Sequence, residues 1–205
     1  MLDRNRFLDL WRRLGGNDGS ATFERLRTAY SDPDRAYHND NHIADCLGQF
    51  DRVRSQADRP DELELALWFH DAVYDTHASD NEERSAEFAA KEMAADGIDA
   101  EIATRIERLI LVTKHDREPY SDDSALLVDI DLSILGRDPE AFAAYDRAIR
   151  AEYLWVPEDA YRTGRSAVLQ GFLDRPAIFR TAPFRSFEAA ARRNLADAIA
   201  ELRSR

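Results

Sequence analysis

An all-helical fold is predicted for this chain by three observations. Apolar residues recur at intervals of three and four along most of its length, and glycine and proline punctuate those stretches where helices would stop. No alternation of apolar and polar residues survives over a useful length, so no sheet is predicted. The pattern reads as one all-α domain, a bundle of about eight to ten helices spanning the 205 residues, because two independent domains would each be small. A hydrophobic fraction of 44% and a charged fraction of 33% describe a packed interior under a well-solvated exterior.

Phe7, Leu10, Trp11 and Leu14 share one face of a first helix, which stops at Gly15-Gly16-Asn17-Asp18-Gly19. A second helix is expected from Ala21 to Tyr30, closed by the turn Ser31-Asp32-Pro33-Asp34. Ile43, Cys46, Leu47 and Phe50 line one side of a helix from about Asn39 to Val53, and Leu65, Trp68, Phe69 and Val73 do the same from Pro60 to Tyr74. The acidic run Asp80-Asn81-Glu82-Glu83 suits a helix start, with a stop at Gly97. Ile102, Ile106, Leu109, Ile110 and Thr113 mark the next helix. Leu126 to Leu135 is apolar enough for a strand, yet Leu127, Asp131, Ile134 and Leu135 share a helical face, so it is read as a helix. Three further helices carry Phe142 to Tyr153, Val168 to Leu173 and Phe187 to Leu202, with a long loop from Arg175 to Ser186 before the last.

The formal net charge of −12 weighs against an extended nucleic-acid substrate, because affinity for polyanions is carried by Lys and Arg contacts to phosphate. Small anionic ligands stay open, since a metal ion and a few local cations reverse the potential inside one pocket. The single cysteine, Cys46, allows no internal disulfide. The amino-terminal stretch from Met1 to Leu14 mixes charged with apolar residues instead of showing a signal-peptide core, and no run approaches the roughly 18 apolar residues of a membrane span. A cytoplasmic protein with no membrane partner is expected; the oligomeric state is not legible.

Four of the five histidines, His38, His42, His70 and His77, crowd into one stretch of the chain. Histidine and carboxylate side chains are the usual ligands for zinc, manganese or iron where cysteine is scarce. On a helix His38 and His42 would stack on one face, and His70-Asp71 closes an apolar helix containing Trp68 and Phe69. Each histidine alone reads as an ordinary core or surface residue, and His77 in a polar stretch keeps that reading. The His70-Asp71 pair is different, because burying it beside Trp68 and Phe69 is costly unless its polar atoms find strong partners. A metal ion is such a partner. Asp131, an acid on the apolar face of Leu127, Ile134 and Leu135, needs one too; Asp129 competes, and the shared face favours Asp131.

His42-Ile43, then His70-Asp71, then Asp129-Ile130-Asp131-Leu132 resembles the H…HD…D signature of the HD superfamily of metal-dependent phosphohydrolases, over about Tyr37 to Gly136. The wider pattern is most similar to a bacterial group described as predicted metal-dependent HD phosphohydrolases. The resemblance implies an HD-type helical bundle with His42, His70, Asp71 and Asp131 as ligands of one divalent ion, manganese or another transition metal such as iron, nickel, zinc or cobalt. Tyr37-His38-Asn39-Asp40-Asn41-His42 is similar to the YHNxxH motif of class I cyclic-nucleotide phosphodiesterases, which implies that His38 protonates the leaving oxygen. His70-Asp71-Ala72-Val73-Tyr74-Asp75-Thr76 is similar to the HDxxEDT motif of the guanosine tetraphosphate hydrolases, which implies a catalytic Asp75. Tyr74 replaces the glutamate of that motif, and the further histidine of the phosphodiesterases is absent.

The function implied is hydrolysis of a small phosphate mono- or diester, nucleotide-like, by water made acidic on the metal. With no phosphate-binding glycine loop, cations must hold the remaining oxygens; Arg35, Arg84, Lys114 and Arg117 are the candidates, with Lys114 preferred and Arg35 retained beside it, although each also reads as a solvated surface charge. His115 reads as a second-metal ligand, a substrate contact or a helix C-terminal cation. Glu82 and Glu83 read as helix-start acids or as partners of a ligand histidine, and Cys46 reads as core packing. The alternative class is a non-catalytic nucleotide sensor on the same bundle. A two-iron oxygenase would need further histidine ligands, and only His77 and His115 are left to supply them.

Overall fold

The computed structural model of the chain describes residues 2–204. Among the described residues there are ten α-helices, joined by turns and four short 3-10 segments, and no strand. None of the helices is long and apolar enough to cross a membrane. Contacts group the chain into two compact units, Met1–Val128 and Asp129–Arg205.

In the first unit α1 (Arg4–Arg13) and α2 (Ser20–Tyr30) are followed by α3 (Asp40–Val53), α4 (Pro60–Phe69), α5 (Asn81–Ala95) and α6 (Ala100–Leu111). Helix α1 starts at Asp3, whose carboxylate accepts the amides of Asn5 and Arg6 and so satisfies two of the donors that a helix start leaves free. Its apolar face is the one expected: Phe7, Leu10 and Trp11 are fully buried. Phe7 stacks on Trp11 at 5.5 Å and meets the edge of Trp68 at 5.3 Å, so the first helix and α4 share one aromatic core.

The glycine break works through Trp11. A Cβ on Gly16 or Gly19 would come within 2.3 and 2.7 Å of the indole. Asp96 seals the turn: its carboxylate accepts Trp11 Nε1 at 2.6 Å and the backbone amides of Asn17, Asp18 and Gly19.

Helix α4 is buried on nearly every side, Glu64 included at 2% exposure. A buried carboxylate must be paired. Arg6 Nε reaches Glu64 at 2.7 Å and Arg54 donates to its other oxygen, while Arg13 and Arg54 both engage Asp61. The hydrogen bond from Arg13, with further help from Arg54, holds the Asp61 carboxyl below the usual carboxylate range. A carboxyl lowered on folding stabilises the protein above its unfolded pKa, near 4, and that contribution is lost as pH falls through the lower folded value. The destabilisation caused by Asp61→Asn is therefore expected to be full at neutral pH and to vanish in acid, as read from urea melts of variant and parent across that range.

Helix α7 (Asp122–Asp131) continues into a 3-10 turn, Leu132–Gly136, so the stretch that could pass for a strand is helical. In the second unit α8 (Pro139–Glu152), α9 (Glu158–Leu173) and α10 (Glu188–Ser204) follow. Pro139 at the first position of α8, behind an Asp138 cap, suits a helix start. Helix α9 begins ten residues before its first expected apolar marker, Val168, because its first turns bury little apart from Tyr161. The loop expected from Arg175 to Ser186 holds a 3-10 segment, Ala182–Phe187.

Candidate metal centre

Two of the expected helix bounds shift at the site. Helix α3 starts at Asp40, since Asn39 adopts an extended conformation and caps it, accepting Asn41 N at 2.9 Å. His38 thus precedes the helix instead of stacking one turn before His42 upon it. Helix α4 stops at Phe69, with His70 as its closing residue, and the chain from Asp71 to Asp80 is irregular where helix was expected as far as Tyr74. His42, on the first turn of α3, is 5% exposed and His70 is 1% exposed.

These two ends bring three ligand atoms together. His42 Nε2 lies 3.1 Å from His70 Nε2, and Asp71 Oδ2 lies 3.3 Å from the first and 3.1 Å from the second. Neighbouring ligands around one transition ion stand about 3 Å apart when each bond is about 2.0–2.2 Å, so the triangle has the size of one face of a coordination shell. His70 Nδ1 lies 3.0 Å from the carbonyl of Leu67. A carbonyl only accepts, which puts the ring proton on Nδ1 and leaves Nε2 with a bare lone pair facing the other two atoms. This backbone-anchored imidazole is the usual arrangement of a metal-ligating histidine.

One ligand atom from each of His42, Cys46 and His70 falls within 4.8 Å of the others; Asp131 is the residue on which α7 ends, in the second unit. Cys46 Sγ is 3.8 Å from both ring nitrogens of His42. Two histidines with the neighbouring Cys46 and Asp71 could hold a metal ion. Burial pushes the Asp71 carboxyl up, but the imidazoles of His70, His38 and His42 outweigh it and hold the group well below the usual carboxylate range. Asp71 is therefore a carboxylate poised among nitrogen donors. Asp129, the competitor of Asp131, is fully buried and committed within the second unit, accepting the amides of Arg180 and Thr181 and the Thr181 hydroxyl.

His38 stands beside the cluster, its ring stacked on Tyr74 at 4.0 Å and 5.9 Å from the ring of His42. Tyr37 lies 4.8 Å from His42. Asp75 is in an exposed turn, where its carboxylate accepts the amide of His77 at 2.9 Å and its own amide donates to Asn81. His115 closes a 3-10 turn in the left-handed region, φ 58.

The cations expected to hold substrate oxygens have other work. Lys114 pairs with Glu83 at 2.5 Å and donates to the carbonyl of Ser79. Arg35 donates to the carbonyls of Asp71 at 2.7 Å and Ala72 at 3.1 Å, and reaches that of His38 at 3.4 Å. Its guanidinium ties the turn carrying His38 to the turn carrying Asp71, and lies over the rings of Tyr30 and Tyr74. Arg35 is thus a positioning residue. Arg35→Lys, which keeps the charge but cannot span two carbonyls, is expected to weaken metal binding about tenfold or more, as measured by competition with a chromogenic chelator.

Sequence reasoning read Cys46 as core packing and Arg35 as a substrate cation, and gave Tyr74 no role in the site. Cys46 carries a signal that was available, one helical turn after His42; Tyr74 and Arg35 carry none, because their roles depend on how two turns meet. No protein-family model matches the chain, and no curated protein or solved structure matches it either.

Proposed function

We propose that this protein is a metal-dependent phosphohydrolase acting on a small, nucleotide-like phosphate mono- or diester. The observation that carries the reading is the mutual approach of His42 Nε2, His70 Nε2 and Asp71 Oδ2 to 3.1–3.3 Å in a buried site. Two imidazole nitrogens and a carboxylate oxygen suit a transition ion, manganese or another such as iron, nickel, zinc or cobalt, better than magnesium. His42, His70 and Asp71 would hold it. When bound, the ion would lower the pKa of a water towards about 7 and polarise a phosphoryl oxygen.

The remaining chemistry falls to the chain's own side chains. His38, kept in place by the Tyr74 ring, stands next to the ligand set and is the group to protonate the departing alkoxide. Asp75 would orient the attacking water, for which it must leave its exposed turn beside His77. Arg35 and Tyr74 hold His38 and Asp71 in register. A non-catalytic nucleotide-binding module is the second reading, and one observation favours it: Asp75, the carboxylate that would orient water, is engaged in an exposed turn by the amide of His77.

Protein loaded with Mn²⁺ is to be assayed with p-nitrophenyl phosphate, bis-p-nitrophenyl phosphate and a set of nucleotides. Turnover that disappears with the metal and with Asp71→Asn supports the hydrolase. Saturable nucleotide binding without turnover would replace it with the binding module.

A further inference from the structure

Helix α5 is stitched to the turn that follows Asp71. Ser85 Oγ accepts the amide of Val73 at 3.0 Å and donates to its carbonyl at 3.2 Å. Asn81 accepts the amide of Asp75 and donates to its carbonyl, both at 3.0 Å. Glu82 lies between these two anchors, on the first turn of the helix. Residues three and four apart share a helix face, and Ser85, Ala86, Ala89 and Met93, which continue the row from Glu82, are buried. The Glu82 side chain therefore lies on the packed face of α5, at the end that meets the Asp71 turn.

The next residue gives the contrast. Glu83 is exposed and pairs with Lys114, whose ammonium also donates to the carbonyl of Ser79. Glu82 is half-buried, and among the described residues its carboxylate bonds to its own amide and feels the charges of Asp71, Lys114 and Glu83. Burial pushes this carboxyl above the usual range, and the charge of Asp71 adds to the shift. A carboxylate held beside another carboxylate, next to a set of nitrogen donors, has the placement that proton transfer near neutral pH requires.

The geometry points to Glu82 as the catalytic residue that takes the proton of the attacking water, an assignment that rests on the hydrolase reading. The O–H bond of the water breaks, its proton passes to a Glu82 oxygen, and its oxygen bonds to phosphorus. The bond from phosphorus to the leaving oxygen breaks, and that oxygen takes its proton from His38. Asp75 orients the water; Glu82 removes its proton.

Full-length protein loaded with Mn²⁺ is assayed with bis-p-nitrophenyl phosphate while its metal is counted by elemental analysis. Glu82→Gln is expected to retain as much metal as the parent while kcat falls about a hundredfold or more. Glu82→Ala is expected to lose as much rate and to recover part of it as formate is added, because a free carboxylate can take up the proton; Glu82→Gln, whose amide fills the space, should not respond. With the metal removed, Glu82→Gln should resist urea at least as well as the parent at neutral pH. The sign follows from linkage: a carboxyl raised on folding destabilises the protein above its unfolded pKa, about 4.3, so the advantage of the amide vanishes in acid. Loss of metal in Glu82→Gln, lower stability of its metal-free form at neutral pH, or the same formate response in both variants overturns the assignment. A parent that binds Mn²⁺ without turnover removes the hydrolase reading and Glu82 with it. A parent that turns over beside an equally active Glu82→Gln removes Glu82 alone.

Discussion

Replacing His70 by alanine is expected to lower metal affinity by more than about a hundredfold and to abolish phosphate-ester hydrolysis with it. Loss of a group that merely supports a ligand costs about 10–100-fold, and His70 is itself a donor. Its Nε2 is 3.1 Å from both His42 Nε2 and Asp71 Oδ2, and its Nδ1 is anchored to Leu67. Because His70 is fully buried, the alanine variant also leaves a void. Asp71→Asn keeps the volume and removes the charge, so it should lose metal in a protein that melts close to the parent. His38→Ala should behave differently, retaining metal while turnover falls about a hundredfold or more, the usual size of a proton-transfer contribution. Metal content by elemental analysis, beside rates with a nitrophenyl ester, separates the three; loss of metal in His38→Ala would make His38 a ligand.

The second large effect lies in the scaffold. Glu64→Ala is expected to cost about 3–5 kcal/mol of stability, the range for breaking a buried ion pair from one side. Glu64 is 2% exposed and accepts from both Arg6 and Arg54, so its removal leaves two guanidinium groups over an apolar helix without their buried counter-charge. In a chain of this length the melting temperature should fall by about 10 °C, as read by calorimetry. A fall of less than about 2 °C would mean that Asp51 and Asp61, which already pair with these arginines, take over the whole role.

The helices were legible because their signals are local. Phe7, Leu10 and Trp11 recur at helical spacing and are buried, and the glycine run after them turns the chain against the Trp11 ring. The stretch around Leu127 to Leu135 shows the same: the shared face of a period near 3.6 decided correctly between helix and strand. Local signals also misled at helix ends. Tyr74 continues the apolar period of α4, yet the helix stops at Phe69, and His38 sits four residues before His42 without sharing its helix, because Asn39 caps first.

The part of the site that could be read was the set of residue types needing a common partner: His42, His70 and Asp71 do converge. What could not be read was which polar groups the fold engages elsewhere. Arg35 and Lys114 looked like phosphate binders as sequence, and their contacts are with backbone carbonyls and Glu83. Asp129 and Asp131 differ by two positions, and only the turn at Arg180 and Thr181 shows that the first is engaged, accepting both backbone amides.

The central claim is that His42, His70 and Asp71 grip one cation together. Metal-stripped protein incubated with Mn²⁺, passed through a desalting column and counted by elemental analysis tests it most directly. One ion per chain, absent from His70→Ala and from Asp71→Asn, is the predicted result. A native chain that retains no ion, or variants that retain as much as the parent, would contradict it.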